Sequence, residues 1–451
     1  MENWKAAKQI YLCAMFRLAC IGLVLTCTAC STLGGKARFA RRLERDIRRS
    51  EVFSKAFTGF ALFDPVKGKT LCTVNANQYF TPASNTKILT LYTSLRVLGD
   101  SLPALYVQTS GDSVHVQPTG DPSFLHPDFK HWQKAADFLK ATPGQVLVVH
   151  EPQAPPLPFG PGWSWDDFDE AYSAERSSWP IYGNVRRVFA PKPDSLAIEP
   201  SFWRSFLQKK TDMLGGISAS DPENRVFYSA KATFKPDFER WVPIHGVQSK
   251  LAVLLEDTLK RKVVVDPHSL RGPRKTIYAC PVDTVYRRLM HESDNFIAEQ
   301  LLLLCAGVKF DTLDAAKIIH WTQNNAFSSL DLKPKWVDGS GLSRYNLNTP
   351  NTLVKILLQL WQEQPRERLF DLFPAGGLSG TISDWYKNSN APPYVFAKTG
   401  SMGGVHCLSG YLVAHSGKIL IFSFMHNNFT GSSKPYKAEM QRFLSKVKDH
   451  Y

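Results

Sequence analysis

Two groups of short apolar runs, one near each end of the chain, predict β-strands. The first group is Phe57–Phe63 and Thr70–Val74, and the second is Tyr394–Thr399, Cys407–Ala414 and Ile419–Met425. Helical periodicity marks five further segments, namely Thr86–Leu98, Pro281–Met290, Phe296–Cys305, Thr352–Trp361 and Pro435–Val447. This order of elements requires strands from both chain ends to share one antiparallel sheet, which predicts an α+β domain.

The segment between the two groups has a different character. Residues 101–270 contain Pro-rich and aromatic-rich stretches such as Pro152–Trp165, and short β-like runs such as Val146–Val149. A chain of 451 residues has room for two or three domains. We therefore expect a separate, largely β insertion over 101–270, which interrupts one domain built from 30–100 and 271–451.

Residues 1–29 predict an export signal. Three basic residues precede the apolar run Leu18–Leu25, which is too short to span a bilayer but has the length of a signal-peptide core. A small residue then stands before Cys30, as in processing sites of bacterial lipoproteins, so Cys30 is predicted to become the lipidated N-terminus. Cys27 stands where such sites usually carry leucine, which leaves ordinary cleavage and a soluble secreted protein as the alternative. We expect a periplasmic protein that is anchored to a membrane by this lipid, and we expect that membrane to be the outer membrane.

The chain is basic, with 54 Lys and Arg against 40 Asp and Glu and a formal net charge of +14. Such a charge attracts polyanions in general, but export disfavours nucleic acid as the partner. Residues 36–49 carry seven basic side chains and place Phe39, Leu43 and Ile47 on one face of a predicted helix. We interpret this segment as a docked helix with a solvated basic face, and binding to lipid head groups is the alternative.

Ser84 and Lys87 form a Ser-x-x-Lys pair at the start of a predicted helix. A serine hydroxyl becomes a good nucleophile when a base takes its proton, and a neutral lysine one helical turn later is close enough to do so. The spacing alone is weak, because the same pattern recurs at Ser445–Lys448 on a predicted surface helix and because Ser84 could simply cap its helix.

Two further motifs turn this pair into a set. Ser293-Asp294-Asn295 lies between two helical segments, and Lys398-Thr399-Gly400-Ser401 ends a predicted strand. In this order, the three motifs are those of penicillin-binding proteins and related β-lactamases. Over nearly the whole mature chain, the sequence resembles the low-molecular-mass class C penicillin-binding proteins, which are D-alanyl-D-alanine carboxypeptidases/endopeptidases. The resemblance runs through residues 80–84 (FTPAS), 162–167 (GWSWDD), 338–344 (DGSGLSR) and 398–402 (KTGSM).

The resemblance implies a penicillin-binding/serine β-lactamase-like catalytic domain, with a five-stranded antiparallel sheet, its helices and an all-helical part, interrupted by a non-catalytic insertion. It implies an exported serine hydrolase that cleaves peptidoglycan stem peptides through an acyl-enzyme on Ser84, needs no cofactor and is trapped by β-lactams. The alternatives are a non-catalytic wall-binding or β-lactam-binding lipoprotein and a β-lactamase. The intact motifs argue against the first, and the lack of a Glu-x-x-Leu-Asn stretch between Ser293 and Lys398 argues against the second.

Physical logic assigns roles within the expected site. Lys87 is the base, and the charge of Lys398 is expected to lower the pKa of Lys87. Ser293 relays a proton to the leaving amine, and Asn295 holds Lys87 and the substrate amide. The remaining groups contact the substrate: Lys398, Thr399, Gly400 and Ser401 at its terminal carboxylate, the backbone amides of Ser84 and Ser401 at the oxyanion, and Arg344, Trp163 and Asp166 at the stem-peptide side chain. A turn at the Gly-rich residues Asp338–Gly341, and core anchors of the insertion at the two tryptophans, would explain this last group equally well.

No metal site is expected. The 12 histidines show no His-Glu-x-x-His pattern, and the cysteines beyond the signal are widely spaced, at Cys72, Cys280, Cys305 and Cys407. Three of them, Cys72, Cys305 and Cys407, lie in apolar stretches and are interpreted as buried thiols, although disulfide pairing stays open in an oxidising compartment.

Overall fold

Strands from the two ends of the chain form one antiparallel sheet, as predicted. The computed structural model describes residues 35 and 37–451 without residues 143, 145, 153, 154, 214, 215 and 390, so the predicted signal segment and Cys30 lie outside the described residues. The strands are β1 (Phe57–Asp64), β2 (Lys69–Val74), β3 (Ser101–Ser110), β4 (Ser113–Pro118), β5 (Val146–His150), β6 (Val185–Lys192), β7 (Ser195–Glu199), β8 (Leu207–Lys210), β9 (Ile217–Ser218), β10 (Val226–Ser229), β11 (Glu239–Pro243), β12 (Lys262–Asp266), β13 (Lys275–Pro281), β14 (Val395–Met402), β15 (Val405–Val413) and β16 (Ile419–Asn427). The main sheet has the order β14-β15-β16-β1-β2, and its neighbouring strands all run antiparallel.

Helices cover both faces of this main sheet. Over the described residues the helices are α1 (residues 37–48), α2 (Lys87–Val97), α3 (Lys134–Ala141), α4 (Val247–Leu259), α5 (Val282–His291), α6 (Asn295–Phe310), α7 (Ala315–Asn325), α8 (Pro350–Glu363), α9 (Arg366–Leu372) and α10 (Lys434–His450), of which α3 and α4 belong to the insertion. Along β16, Ile421 and Met425 join the core formed with α2, α6 and α8, whereas Phe422 and Phe424 join the core formed with α1 and α10. The side chains divide in this way because successive residues of a strand point to opposite faces. The sheet is therefore a buried layer between two helical layers.

Helix α6 is the centre of the all-helical part. Its residues from Phe296 to Ala306 are buried on every side, and α2, α5 and α7 pack against it. A helix that is apolar all round must be enclosed, which explains this central position. Asp294 caps the helix by accepting a hydrogen bond from the Ile297 amide over 2.9 Å, and this cap fixes the chain next to Ser293.

The predicted insertion contains three further sheets. Their orders are β12-β5-β4-β3-β13, β11-β6-β7 and β8-β10-β9, and helices α3 and α4 accompany them. The predicted boundary at residue 270 separates β12 from β13, although both strands belong to the same sheet. Within it, Ile277 of β13 pairs with Leu105 of β3, so this sheet is complete only at Pro281.

The basic N-terminal helix α1 is docked on the domain. Leu43 and Ile47 are 2% and 1% exposed, and the ring of Phe39 stacks on His450 of α10 with centroids 3.7 Å apart. Its arginines at positions 38, 41, 42, 45 and 48 are exposed, which agrees with a docked helix that has a solvated face. Within the described part of the chain, no helix is long and apolar enough to cross a membrane. The four described cysteines are free and buried, which confirms the interpretation of Cys72, Cys305 and Cys407 and adds Cys280 to it.

Candidate active site

Ser84 lies in a single turn of 3-10 helix, Ala83–Thr86, that leads into α2. Ala83 has a φ of 45°, in the left-handed region that a residue with a side chain adopts only where its surroundings enforce it. Gly341 lies against this turn, since a Cβ at position 341 would lie 2.8 Å from Thr86 Oγ1 and closer still to the Ala83 carbonyl. The glycine-rich segment 338–344 thus packs directly on the turn that presents Ser84.

Lys87 reaches Ser84 from one helical turn later. Its Nζ donates to Ser84 Oγ over 3.0 Å, to Asn295 Oδ1 over 2.6 Å and to the Ser340 carbonyl over 2.7 Å. Lys87 is fully buried, and burial lowers the pKa of its amine to about 8, although three carboxylates nearby favour the charged form. The structure therefore brings together a serine hydroxyl and a lysine whose pKa lies well below that of an exposed lysine.

Lys398 and Ser293 form the second pair of the site. Lys398 Nζ donates to Ser293 Oγ over 2.8 Å and to the Thr399 carbonyl over 2.9 Å. Burial, and secondarily the charge of Lys87, lower the pKa of Lys398 well below its ordinary value. We expected the charge of Lys398 to be what lowers the pKa of Lys87; this expectation was wrong, because burial is the largest cause.

Strand β14 packs edge-on against the Ser84 turn at Gly400. A Cβ at this position would lie 2.9 Å from the Asn85 amide nitrogen and 3.0 Å from that of Ser84, and closer still to the Pro82 carbonyl. Asn85 holds the strand in place, since its buried Nδ2 donates to the Lys398 carbonyl over 2.9 Å. The close approach needs a glycine, and it brings the next residue of the strand, Ser401, into the same cleft as Ser84.

A buried glutamate lies behind Lys87. Glu299 Oε1 accepts a hydrogen bond from the Ser340 amide over 2.7 Å, and its Oε2 lies 3.6 Å from Nη1 of Arg176. Burial, and then the charge of Asp338, raise the pKa of Glu299 to about 7. The sequence reasoning missed Glu299, although a charged residue inside the apolar helix Phe296–Cys305 was a usable signal.

The site opens into a cleft with a volume of about 400 Å³. Its lining residues are Ala83, Ser84, Gly162, Ser164, Asp167, Tyr172, Asn295, Gly341, Leu342, Arg344, Ser401, Met402 and Gly403. Tyr172 forms part of the wall that faces the motifs, since its hydroxyl donates to Asp167 over 2.7 Å and its carbonyl accepts from Asn295 Nδ2 over 2.9 Å. Segments from the insertion and from the catalytic domain therefore share the cleft.

Of the three predicted side-chain contacts, only Arg344 lies among the described cleft-lining residues. Trp163 turns its indole away, because Nε1 donates over 3.0 Å to Oδ2 of the buried Asp338. Asp166 is exposed outside the lining, and its neighbour Asp167 occupies the wall instead. Residues 162–167 do contribute to the cleft, as the sequence predicts, but which of the two adjacent aspartates faces it depends on the turn at residues 165–167. Within the described residues, no group of His, Cys, Asp and Glu side chains is arranged to hold a metal ion.

Comparison with known proteins gives a consistent result. The sequence model of the D-Ala-D-Ala carboxypeptidase 3 (S13) family matches residues 39–195 and 275–447, which is more than half of the chain. The D-alanyl-D-alanine carboxypeptidase DacB of Haemophilus influenzae is 33% identical over 177 residues, which cover 36% of this chain and 36% of that relative. The matched region thus spans about a third of the length of this curated relative.

The solved structures extend the likeness to the fold. Penicillin binding protein 4 (dacB) from Haemophilus influenzae superposes with a TM-score of 0.70 at 19% identity, covering 88% of this chain and 97% of that one. The same protein complexed with a β-lactam gives a TM-score of 0.65 at 19% identity, covering 89% and 98% of the two chains. At this identity the likeness concerns the fold, and it confirms the predicted α+β fold of the penicillin-binding type.

Proposed function

Because the chain belongs to the D-Ala-D-Ala carboxypeptidase 3 (S13) family, we propose that it is a serine-type D-Ala-D-Ala carboxypeptidase/endopeptidase that cleaves peptidoglycan stem peptides through an acyl-enzyme on Ser84. One observation carries the proposal: the fully buried Lys87 places its amine 3.0 Å from Ser84 Oγ. A lysine with a pKa of about 8 has a useful neutral fraction at neutral pH, which an exposed lysine lacks.

Acylation begins when neutral Lys87 takes the proton of Ser84 and Ser84 Oγ attacks the carbonyl of the penultimate D-Ala. The backbone amides of Ser84 and Ser401 stabilise the oxyanion, each contributing about 3 kcal/mol. The leaving amine needs a proton, and Ser293 relays it: the amine takes the hydroxyl proton of Ser293, and Lys398 replaces that proton through its hydrogen bond to Ser293. The lysine pair gains one proton from Ser84 and loses one to the amine, so its charge is restored. Asn295 keeps Lys87 aligned through its 2.6 Å hydrogen bond and offers its amide group to the substrate.

The remaining groups of the cleft bind the substrate on either side of the cleaved bond, namely the terminal D-Ala that leaves and the side chain of the stem peptide. Lys398, Thr399 and Ser401 lie along the end of β14 and suit the terminal carboxylate of the substrate. Asp167 and Arg344 line the same cleft with opposite charges, which suits a diamino acid whose free end carries an ammonium and a carboxylate. Trp163 supports this region from behind through Asp338 rather than by touching the substrate.

β-Lactams should acylate Ser84 and remain bound, because the opened ring cannot leave. Labelled penicillin should therefore attach to the wild type and not to Ser84→Ala. A matched control is Ser445→Ala, which removes the serine of the second Ser-x-x-Lys pattern on α10 and should keep full labelling. Label retained by Ser84→Ala would place the nucleophile elsewhere and refute the proposal.

Purified muropeptides separate the proposed reaction from its alternatives. Mass analysis should show loss of a terminal D-Ala or cleavage of cross-linked dimers. Rapid turnover of penicillin with intact muropeptides would instead identify a β-lactamase. Stable labelling with no cleavage at all would identify a non-catalytic binding protein.

The same proposal places the enzyme outside the cytoplasm, in the periplasm and anchored by a lipid on Cys30. Its support is the sequence pattern of residues 1–30, with a short apolar core before the cysteine. Cys30→Ser should release the protein from membranes, whereas the neighbouring Cys27→Ser should not. Membrane retention of Cys30→Ser would contradict the anchor.

A further inference from the structure

A histidine lies behind the cleft wall and contacts the side chain of Ser401. Ser401 on β14 is exposed in the cleft, and its register partner on β15 is His406. The Oγ of Ser401 and Nδ1 of His406 are 2.8 Å apart, which is hydrogen-bond distance. His406 is only 1% exposed, so solvent does not compete for this contact. One hydroxyl of the cleft therefore has a fixed partner on its buried side.

We propose that His406 is a positioning residue that donates a hydrogen bond from Nδ1 to Ser401 Oγ and thereby directs the Ser401 proton toward the substrate carboxylate. The inference rests on the proposed function, which assigns this carboxylate to the end of β14. A hydroxyl has one proton and two lone pairs. When His406 donates to the oxygen, the Ser401 proton is left for an acceptor in the cleft. A carboxylate only accepts, so it is bound in this orientation and repelled in the opposite one.

The surroundings of His406 keep its ring neutral. Ser401 faces it from β14, His426 is its register partner on β16, and Lys437 lies on α10. Burial, and then the charge of Lys437, lower the pKa of His406 to about 3, and burial also lowers the pKa of His426 well below its ordinary value. A neutral imidazole carries its proton on one nitrogen only. The state of Ser401 is thus determined by which nitrogen of His406 is protonated.

Two substitutions test this assignment by kinetics. His406→Leu removes the hydrogen bond, whereas His406→Asn keeps a side-chain amide that can donate near the position of Nδ1. With a peptide ending in D-Ala-D-Ala, the leucine variant should raise KM about tenfold with little change in kcat, because a hydrogen bond to a charged group is lost. With an ester substrate that lacks the terminal carboxylate, KM should not change. The asparagine variant should restore most of the affinity.

A double-mutant cycle with Ser401→Ala distinguishes positioning from packing. In the Ser401→Ala background, His406→Leu should have no further effect on KM. An equal effect in both backgrounds, or an equal loss with the peptide and the ester, would overturn the inference.

The tautomer can also be measured without relying on a folded leucine variant. The ¹⁵N NMR signals of the ring, assigned by their loss in His406→Asn, should show the proton on Nδ1, and a proton on Nε2 would overturn the inference. Wild-type protein that penicillin does not acylate would refute the proposed function itself. Acylated wild type with unaltered His406→Leu kinetics would refute only the role of His406.

Discussion

Replacing Glu299 by glutamine should lower the pH at which Lys87 becomes an effective base. Burial brings the pKa of Lys87 from 10.5 to about 8. At pH 7 about one Lys87 in ten is then neutral, compared with roughly one in three thousand at the ordinary value. The pKa would be lower still without the nearby carboxylates of Asp338, Asp294 and Glu299, which stabilise the ammonium.

Glu299 is the best of these three carboxylates to neutralise. Asp338 accepts hydrogen bonds from the Gly341 and Ser343 amides, and Asp294 caps α6, so their substitution would disturb the local structure. Glutamine at position 299 can still accept the Ser340 amide hydrogen bond while its charge is gone. Because the pKa of Glu299 is about 7, this carboxylate is mostly charged only above that pH. There the pKa of Lys87 should fall by up to about one unit, which raises its neutral fraction at pH 8 from about one half toward about nine tenths.

The assay is the pH profile of kcat/KM from about pH 6 to 10, measured with an ester that lacks the terminal carboxylate so that substrate binding changes little. The acid limb should lie near pH 8 in the wild type and at lower pH in Glu299→Gln, with equal plateaus above about pH 9. Glu223→Gln is the matched control, because Glu223 is 73% exposed in the insertion. A wild-type limb near pH 10, or a limb shifted to higher pH in Glu299→Gln, would refute the reasoning.

Two further predictions concern packing and burial. Gly400→Ala should slow penicillin acylation about 100-fold, because a Cβ forces β14 away from the Ser84 turn and displaces one oxyanion donor. The control Gly99→Ala, where a Cβ meets nothing within 4 Å, should leave the acylation rate unchanged. An unchanged acylation rate in Gly400→Ala would contradict the packing argument. Burial raises the pKa of Asp121 to about 6, so ionisation of this carboxyl lowers the free energy of unfolding, by an amount that grows as the pH rises from about 4 and is complete above about pH 6. In urea unfolding, Asp121→Asn should raise the free energy of unfolding by up to about 3 kcal/mol above pH 6 and leave it unchanged below about pH 4. A gain in the free energy of unfolding that is independent of pH would contradict this prediction. The control Asp112→Asn, at an exposed position, should show no such pH dependence.

The main sheet could be predicted because its strands are short apolar runs between turn residues. β16 runs from Ile419 to Asn427, where the sequence predicts 419–425, and it is buried on both faces. The helix after Ser84 ends at Val97 against a predicted Leu98, because Gly99 and Asp100 follow and stop it. Such local signals do not depend on what the segment packs against.

Elements that depend on distant partners could not be predicted in the same way. Strand β13 lies beyond the predicted boundary, and its partner β3 is at the start of the insertion, so only the folded chain reveals the pairing. The sequence analysis did not predict α3, α4, α7 or α9. α3 and α9 are only eight and seven residues long, too short for a clear helical period.

The candidate site shows the same division. Three motifs in a fixed order predicted Ser84, Lys87, Ser293, Asn295 and Lys398 as site residues, and in the structure hydrogen bonds join Lys87 to Ser84 and Asn295, and Lys398 to Ser293. They could not give the cause of the low Lys87 pKa, since burial is a property of the assembled core. Nor could they show that Trp163 faces Asp338, a residue far along the chain, rather than the cleft.

The paired lysines lead to one more prediction, about the order of binding and proton transfer. Burial lowers the pKa of both lysines, and the charge of Lys87 lowers the pKa of Lys398 further. When the two lysines of the free enzyme share one ionising proton, that proton therefore lies on Lys87. A substrate carboxylate bound beside Lys398 favours the protonated form of that residue and leaves Lys87 neutral. The acid limb of kcat, which reports the bound enzyme, should therefore lie at lower pH than the limb of kcat/KM for peptides ending in D-Ala-D-Ala. Esters without the carboxylate should give the same limb in both profiles, and a separation that is equal for peptides and esters would show that the carboxylate does not move the proton.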